Sequence, residues 1–203
     1  MRGSKKQRGQ LIVLSGPSGV GKSTVISELL SVRKDIHFSV SFTTRAPRVG
    51  EENGVNYNFV ERAEFERMIA AGELLEHAEY VGNYYGTSLK IIQEKLELGV
   101  DVLLDIEVQG AAKVRAKCPD AVLIFIIPPS FEELSRRLRG RNTDSEEVIA
   151  GRLAKARQEY AQIPSYDYLV VNDKVSEAAA EIIAILMAED CRTRNRQHLV
   201  EGI

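Results

Sequence analysis

The chain has 203 residues, enough for one domain with its own hydrophobic core and small subdomains. Its 27 basic and 29 acidic residues nearly cancel, a balance that argues against a general nucleic-acid-binding protein. The sequence has no apolar run as long as a membrane span and no signal-peptide pattern, so we expect a cytoplasmic protein with no membrane partner.

Strand and helix patterns alternate along most of the chain. Residues 1–9 are polar and basic and are predicted to be a flexible tail before a single domain over 10–203. Short apolar runs at 11–14, 102–106, 122–127 and 168–171 are typical of strands buried on both faces. Helical patterns occupy 24–32, 131–139, 146–162 and 176–190, and Ser130 with Glu133 gives the second of them a capping box. We therefore predict an α/β fold, a three-layer core with helices on both sides of a parallel sheet.

Two segments depart from this alternation. Residues 38–89 are rich in Gly, Thr, Arg, Asn and Tyr, with strand patterns at 39–42 and 57–60 and a helical pattern at 63–71. They predict a mixed α+β subdomain inserted into a core of residues 10–37, 90–138 and 153–203. Residues 139–152 are polar and charged and lie between two helices, which predicts a mobile helical lid.

Residues 16–23 match the phosphate-binding pattern G-x-x-x-x-G-K-[ST], preceded by a strand pattern and followed by a helical one. The glycines let successive backbone N–H groups surround phosphate oxygens, and the helix adds its positive N-terminal end. Lys22 would reach the terminal phosphates of a nucleoside triphosphate, and the Ser23 hydroxyl suits Mg²⁺. The predicted ATP-binding residues are Gly16, Pro17, Ser18, Gly19, Val20, Gly21, Lys22, Ser23, Thr24 and, past the last strand, Asn172 near the donor base.

Asp105 and Glu107 flank Ile106 at the end of the second strand pattern. At the two-residue period of a strand, both carboxylates would point to the same side. Because charged groups are seldom buried without a partner, a metal or substrate role is favoured over a strand end that merely reaches solvent. We predict that Asp105 binds Mg²⁺, directly or through water.

Several longer motifs closely resemble the GMP-binding region of guanylate kinases. They are S-F-T-T-R-A-P-R-V-G-E at 41–51, Y-N-F-V at 57–60 and G-N-Y-Y-G-T at 82–87. The segments D-I-E-V-Q-G at 105–110, P-P-S at 128–130 and V-N-D at 171–173 are similar too. The resemblance runs in order over residues 10–189. It implies a P-loop core, a GMP-binding subdomain and a lid that carries arginines.

The resemblance also implies residue roles. The GMP phosphate would be held by Arg45, Arg48, Tyr57 and Tyr85, and the guanine by Ser41, Glu76, Thr87 and Glu107. Glu51 would order the loop that carries the two arginines, and Asp105 would also face GMP. The lid residues Arg137, Arg141 and Arg152 would approach the ATP phosphates and join Lys22 and Asp105 in catalysis. Arg136 and Arg139 are interpreted as solvated.

Elementary chemistry agrees with these roles. Guanine presents two adjacent donors, N1–H and the N2 amino group, and the acceptor-only carboxylate of Glu76 can accept from both. Adenine has an acceptor at N1 and does not match this carboxylate. Ser41 and Thr87 can donate to guanine O6. The GMP phosphate is already an anion, so transfer of the γ-phosphoryl group of Mg-ATP requires no general base. The three histidines, with no triad or metal-ligand spacing, are therefore given no role.

The predicted function is a GMP kinase that would also accept dGMP, and three other functions are weighed against it. A non-catalytic binding module of similar fold is disfavoured by the intact phosphate loop, since such modules have typically lost it. A kinase for another acceptor is disfavoured by Glu76, Ser41 and Thr87. A P-loop ATPase or switch without an acceptor is disfavoured by the subdomain at 38–89. Self-association stays open, and no nucleic-acid partner is expected.

Overall fold

The computed structural model describes residues 7–80, 82–140 and 144–200. In chain order its elements are β1 (Leu11–Ser15), α1 (Lys22–Val32), β2 (Ile36–Phe38), β3 (Phe42–Thr43), β4 (Asn58–Phe59), α2 (Arg62–Ala70), β5 (Leu74–Tyr80), β6 (Asn83–Ser88), α3 (Leu89–Glu97), β7 (Asp101–Asp105), α4 (Val108–Lys117), β8 (Val122–Ile127), α5 (Phe131–Arg139), α6 (Glu146–Tyr160), β9 (Tyr168–Val171), α7 (Val175–Asp190) and α8 (Thr193–Arg196).

The strands form two sheets. The central sheet has five parallel strands in the order β2-β7-β1-β8-β9. The smaller sheet has four strands in the order β4-β3-β6-β5 and is mixed, with β3 parallel to β4 and antiparallel to β6. In open α/β sheets ligands bind beyond the carboxyl ends of the strands. That edge of the central sheet carries the phosphate loop and lies beside the smaller sheet.

Helices cover both faces of the central sheet, as the continuous apolar runs predicted. Ile12 and Leu14 of β1 pack on one side with residues of α1 and α7. Leu11 and Val13 pack on the other side with residues of α3 and α4. The α/β prediction with a parallel sheet is therefore confirmed, and all four predicted core strands are present. Burial on both faces explains why these strands lack alternating polar residues.

The predicted boundaries hold to within a few residues. Helix α1 begins at Lys22, two residues earlier than predicted, because the phosphate loop turns directly into it at Gly21. Helix α6 ends at Tyr160 rather than 162. The capping box at α5 is only half formed: Ser130 accepts from the Glu133 N–H at 3.1 Å, but the Glu133 carboxylate binds arginines instead.

The smaller sheet has its own core. Phe65, Met68 and Leu74 are buried together between α2 and the sheet, with Phe42 packed against them. The sequence patterns found β4 and α2 in this region, but the strand predicted at 39–42 overlaps β3 only at Phe42. They missed β5 and β6, whose polar residues face the site described below, and, in the core, β2, α3 and α4. The division into domain segments stays a prediction.

The predicted lid, 139–152, includes the last residue of α5 and the first seven residues of α6. These two helices pack through Leu134, Leu138, Ile149 and Ala156. Motion of the lid stays a prediction. Within the described ranges, no helix has the length and apolar character needed to cross a membrane.

Candidate functional site

The phosphate loop between β1 and α1 takes its shape from glycines. Gly19 and Gly21 have φ of 88° and 90°, a region that other residues rarely adopt. A Cβ on Gly19 would lie 2.6 Å from Leu138 Cδ2, and one on Gly21 would lie 2.7 Å from Asn172 Nδ2. Both backbone conformation and close packing therefore require glycine at these two positions.

Two side chains hold the loop from outside. Asn172, only 2% exposed, donates from Nδ2 to the Val20 carbonyl at 2.7 Å. Arg137 on α5 donates to the same carbonyl at 3.1 Å and to the Asn172 carbonyl at 3.0 Å. In this structure both predicted site residues face the loop backbone, so their contacts with ATP stay predictions.

Lys22, at the start of α1, lies against Asp105 at the end of β7. Their Nζ and Oδ1 atoms are 3.0 Å apart, and Nζ also donates to the Gly16 carbonyl at 3.3 Å. The pairing of Leu14 with Asp105 between β1 and β7 brings these groups to one edge. An ammonium group and a carboxylate are thus held where the triphosphate would bind.

The oxygen donors here fit Mg²⁺. Ser23 is exposed in the first turn of α1, and Asp105 lies on the neighbouring strand, so a hydroxyl and a carboxylate flank the loop. Magnesium usually takes one or two protein oxygens and completes its shell with phosphate and water. The described part of the chain contains no group of three or more His, Cys, Asp or Glu side chains that could hold a metal ion.

An open pocket of about 450 Å³ lies between the smaller sheet, the end of β7, α4 and α6. Nine of the ten residues predicted to bind GMP line it: Ser41, Arg45, Arg48, Glu51, Tyr57, Glu76, Tyr85, Asp105 and Glu107. The tenth, Thr87, contacts Glu76. Residues far apart in sequence are thereby collected around one cavity next to the phosphate loop.

One end of this pocket is basic and aromatic. The Arg45 guanidinium bonds both carboxylate oxygens of Glu51 at 2.9 Å and lies 5.4 Å from the centre of the Tyr57 ring. Glu51 also accepts from the Arg48 backbone N–H at 2.8 Å. That N–H, with help from Arg45, lowers the pKa of Glu51. Glu51 therefore ties together the loop that carries both arginines, which suits the clamping of a phosphate.

The other end holds Glu76, which is 5% exposed. Thr87 donates to its Oε1 at 2.6 Å. Burial raises the pKa of Glu76, while the Thr87 hydrogen bond and the charges of Lys113 and Lys117 act the other way. Because the single Thr87 proton is given to Glu76, donation to guanine O6 would require this bond to break.

A β-bulge in β5 explains how Glu76 meets Thr87. Leu74 pairs with Ser88, but Glu76 pairs with Thr87, so Leu75 is the extra residue. Leu74 packs toward α2, whereas Leu75 packs toward α4, on the side where Glu76 lies against Gly110. Bulges of this kind redirect side chains beside functional sites. The irregularity was not visible in the sequence pattern.

The prediction that Asp105 and Glu107 extend from one side of a strand was wrong. Strand β7 ends at Asp105, and Glu107 is the residue that precedes the first turn of α4. Asp105 binds Lys22, whereas Glu107 accepts from Lys155 of α6 at 2.9 Å. Both line the pocket, but the strand period does not relate them.

The predicted lid arginines are in different settings. Arg152 pairs with Asp144 at 3.1 Å, and Arg141 lies outside the described residues. Glu133 binds both Arg136 and Arg137, which lower its pKa to about 2. Arg136 is 77% exposed and pairs with Glu133 on its own helix, which agrees with the solvated interpretation.

Sequence reasoning missed several residues around the pocket. Lys155 contacts Glu107 from a distant helix, and no local signal connects the two. Gly110, Lys113 and Lys117 follow the i, i+3, i+7 spacing of one helix face on α4. That spacing could have been recognised, but nothing in the sequence showed that this face meets Glu76.

Comparisons with known proteins point to one family. The family model described as guanylate kinase matches residues 8–189. The guanylate kinase of Halalkalibacterium halodurans is 52% identical over 197 residues, covering 97% of this chain and 95% of that protein. The Streptococcus pneumoniae guanylate kinase is 56% identical over 183 residues, with 90% and 88% covered. The crystal structure of guanylate kinase from Anaplasma phagocytophilum superposes with a TM-score of 0.77 at 41% identity, covering 94% of this chain and 90% of that one.

Proposed function

Because this chain belongs to the guanylate kinase family, we propose that it transfers the γ-phosphoryl group of Mg-ATP to GMP, giving ADP and GDP. The acceptor range includes dGMP. The observation that carries the proposal is the pocket beside the phosphate loop, which has a buried carboxylate at one end and an arginine clamp at the other. GMP has hydrogen-bond donors on its base, which suit the carboxylate, and an anionic phosphate at its other end, which suits the arginines.

On the donor side, the backbone N–H groups of residues 16–23 and the Lys22 ammonium bind the phosphates of ATP. Lys22 is held by Asp105 at 3.0 Å, so its charge is positioned before the substrate arrives. Charge on the transferring group is stabilised by groups that need little rearrangement. Arg152 and Arg141 join this set when the lid closes.

Ser23 and Asp105, the latter directly or through water, would hold Mg²⁺, which when bound would neutralise charge on the phosphates of ATP.

On the acceptor side, Arg45 and Arg48 hold the GMP phosphate and Glu76 holds the guanine. A phosphate oxygen of GMP attacks the γ-phosphorus, the bond from the γ-phosphorus to the bridging oxygen breaks, and ADP leaves with the electron pair. No proton has to be removed from the nucleophile. The chain's contribution is therefore alignment and electrostatics.

Base selectivity follows from Glu76. An ionised carboxylate pairs with N1–H and the N2 amino group of guanine, whereas adenine would turn an acceptor toward it. A buried polar group left without its partner costs about 1–3 kcal/mol, and two such mismatches exclude AMP strongly. A kinase for another nucleotide would need a different group at this position.

The test is steady-state ADP production from Mg-ATP with GMP, dGMP, AMP, CMP, UMP or no acceptor. We expect rapid turnover with GMP and dGMP alone. ADP production that is equal without an acceptor would instead identify an ATPase. A folded protein that is inactive with every nucleotide would support a binding module.

A further inference from the structure

Glycine at position 110 is unusual for its surroundings. Gly110 is buried in the first turn of α4, where its φ is negative and any residue could be accommodated by the backbone. Glycine inside a helix is unfavourable relative to alanine, so it usually has a packing or functional reason. The backbone conformation supplies no such reason here.

The packing around Gly110 does supply a reason for glycine at this position. A Cβ at this position would lie 2.9 Å from Glu76 Oε2 and 3.3 Å from Glu76 Cδ. The next neighbour, Ile106 Cδ1, would be at an ordinary distance of 3.4 Å. A methyl group would therefore compete for space with the carboxylate at the guanine end of the pocket, and with little else.

The same helix face holds the backbone on both sides of Glu76. Lys117 donates to the Leu75 carbonyl at 2.5 Å, and Lys113 donates to the His77 carbonyl. On the opposite side, Thr87 holds Oε1 at 2.6 Å. Because the backbone on both sides of Glu76 is held in place, the carboxylate is the group that must yield to a side chain at position 110, and its hydrogen bond from Thr87 would be disturbed with it.

We propose that Gly110 is a specificity-determining position, which sets the place of the Glu76 carboxylate and hence the binding and selection of guanine. It is a positioning residue, since it acts through Glu76. The inference rests on the proposed function and extends it to a residue that carries no functional group of its own.

The experiment compares wild type, Gly110→Ala, Glu76→Gln and the double variant in steady-state assays with GMP, AMP and ATP as the varied substrates. For Gly110→Ala we expect the KM for GMP to rise about tenfold or more, as for a weakened hydrogen bond to a charged group. The KM for ATP should stay within twofold of wild type. The preference for GMP over AMP should fall.

The double variant tests whether Gly110→Ala changes GMP binding through Glu76. If Gly110 acts through Glu76, adding Gly110→Ala to Glu76→Gln should change kcat/KM for GMP by less than twofold, because the carboxylate is already lost. Equal effects in the two backgrounds would overturn the proposal. So would an unchanged KM for GMP in Gly110→Ala.

Thermal melting separates this role from a structural one. Gly151→Ala is the matched control, because position 151 is also helical and a Cβ there meets nothing within 4 Å. Both alanine variants should melt no lower than wild type, since the carboxylate yields and the backbone does not. Failure of Gly110→Ala to fold would show that α4 itself moves and would overturn the proposal.

Wild type without GMP turnover would reject the proposed function, whereas an active wild type with an unaffected Gly110→Ala would reject this inference alone.

Discussion

The phosphate loop and the acceptor pocket are neighbours, but they are built differently. The loop comes from eight consecutive residues, 16–23, that follow β1 and run into the first turn of α1, and it is shaped by backbone torsions at Gly19 and Gly21. The pocket takes its side chains from both sheets, the loop between β3 and β4, α4 and α6. A phosphate can be bound by repeated N–H groups, whereas a base needs a specific donor and acceptor pattern. The first task requires one segment of chain and the second requires several.

Both regions hold their charges in pairs. Lys22 faces Asp105 at the end of β7. In the pocket, Arg45 is tied to Glu51, Glu76 to Thr87 and Glu107 to Lys155. Side chains arranged in this way are oriented before a ligand binds, which lowers the cost of organising the site. Because the two regions are proposed to bind different substrates, substitutions in them should differ in which kinetic constant they change.

The largest expected effect is on the donor side. Lys22→Met should lower kcat by about a hundredfold to a thousandfold, as for the loss of one group that stabilises transition-state charge. Binding of GMP, measured by calorimetry without ATP, should change little. Lys90→Met, which alters a lysine that is 83% exposed, is the control. A Lys22→Met enzyme that keeps wild-type kcat would contradict the assigned role.

The next effect is on the acceptor side. Glu76→Gln should lower kcat/KM for GMP by about tenfold to a hundredfold, because a charge-assisted pair with guanine is lost. The KM for ATP should change little, which would distinguish this region from the donor loop. Equal losses for every acceptor would argue that Glu76 supports the fold rather than the base.

The same variant should change how stability depends on pH. Burial raises the pKa of Glu76 above its ordinary value of 4.5. A raised pKa in the folded state gives a stabilising contribution that is complete below the unfolded pKa and is lost as pH rises through the folded pKa. Glutamine does not titrate, so the melting temperature of Glu76→Gln relative to wild type should increase from pH 4 to pH 8. A difference that is constant with pH would contradict the raised pKa.

A smaller effect is expected from Arg45→Lys. Lysine keeps the positive charge but loses the planar guanidinium, whose Nη2 bonds both oxygens of Glu51 while Nη1 donates to the Ala46 carbonyl, so the KM for GMP should rise about tenfold. Arg67→Lys is the control, because Arg67 also bonds both oxygens of a glutamate, Glu64, on the exposed side of α2. If the control shows the same rise in KM, the effect at Arg45 is not local.

The smallest effect is expected at Arg136. Arg136 and Arg137 share Glu133, but only Arg137 also bonds the Val20 and Asn172 carbonyls. Arg136→Ala should leave kcat, both KM values and the melting temperature at wild-type levels. Arg137→Ala should raise the KM for ATP several-fold, because the phosphate loop loses one support. Similar kinetics for the two variants would show that this loop does not depend on Arg137.

The sequence alone was sufficient for features built from consecutive residues. The phosphate loop, four of the five strands of the central sheet and the helices α1, α5, α6 and α7 follow from local conformational preference and hydrophobic pattern, and the family from motifs spread over most of the chain. The helices α3 and α4 were missed. The sequence was also enough to nominate nine residues that the structure collects around one pocket.

Only the tertiary structure decided how those residues meet. The bulge at Leu75 turned Glu76 toward Thr87 and α4, and the end of β7 at Asp105 sent Glu107 to Lys155. Arg137 faces the Val20 carbonyl because α5 packs beside the loop. These contacts join residues from 11 to 117 positions apart in the chain. They depend on strand register and helix packing, which local sequence pattern does not encode.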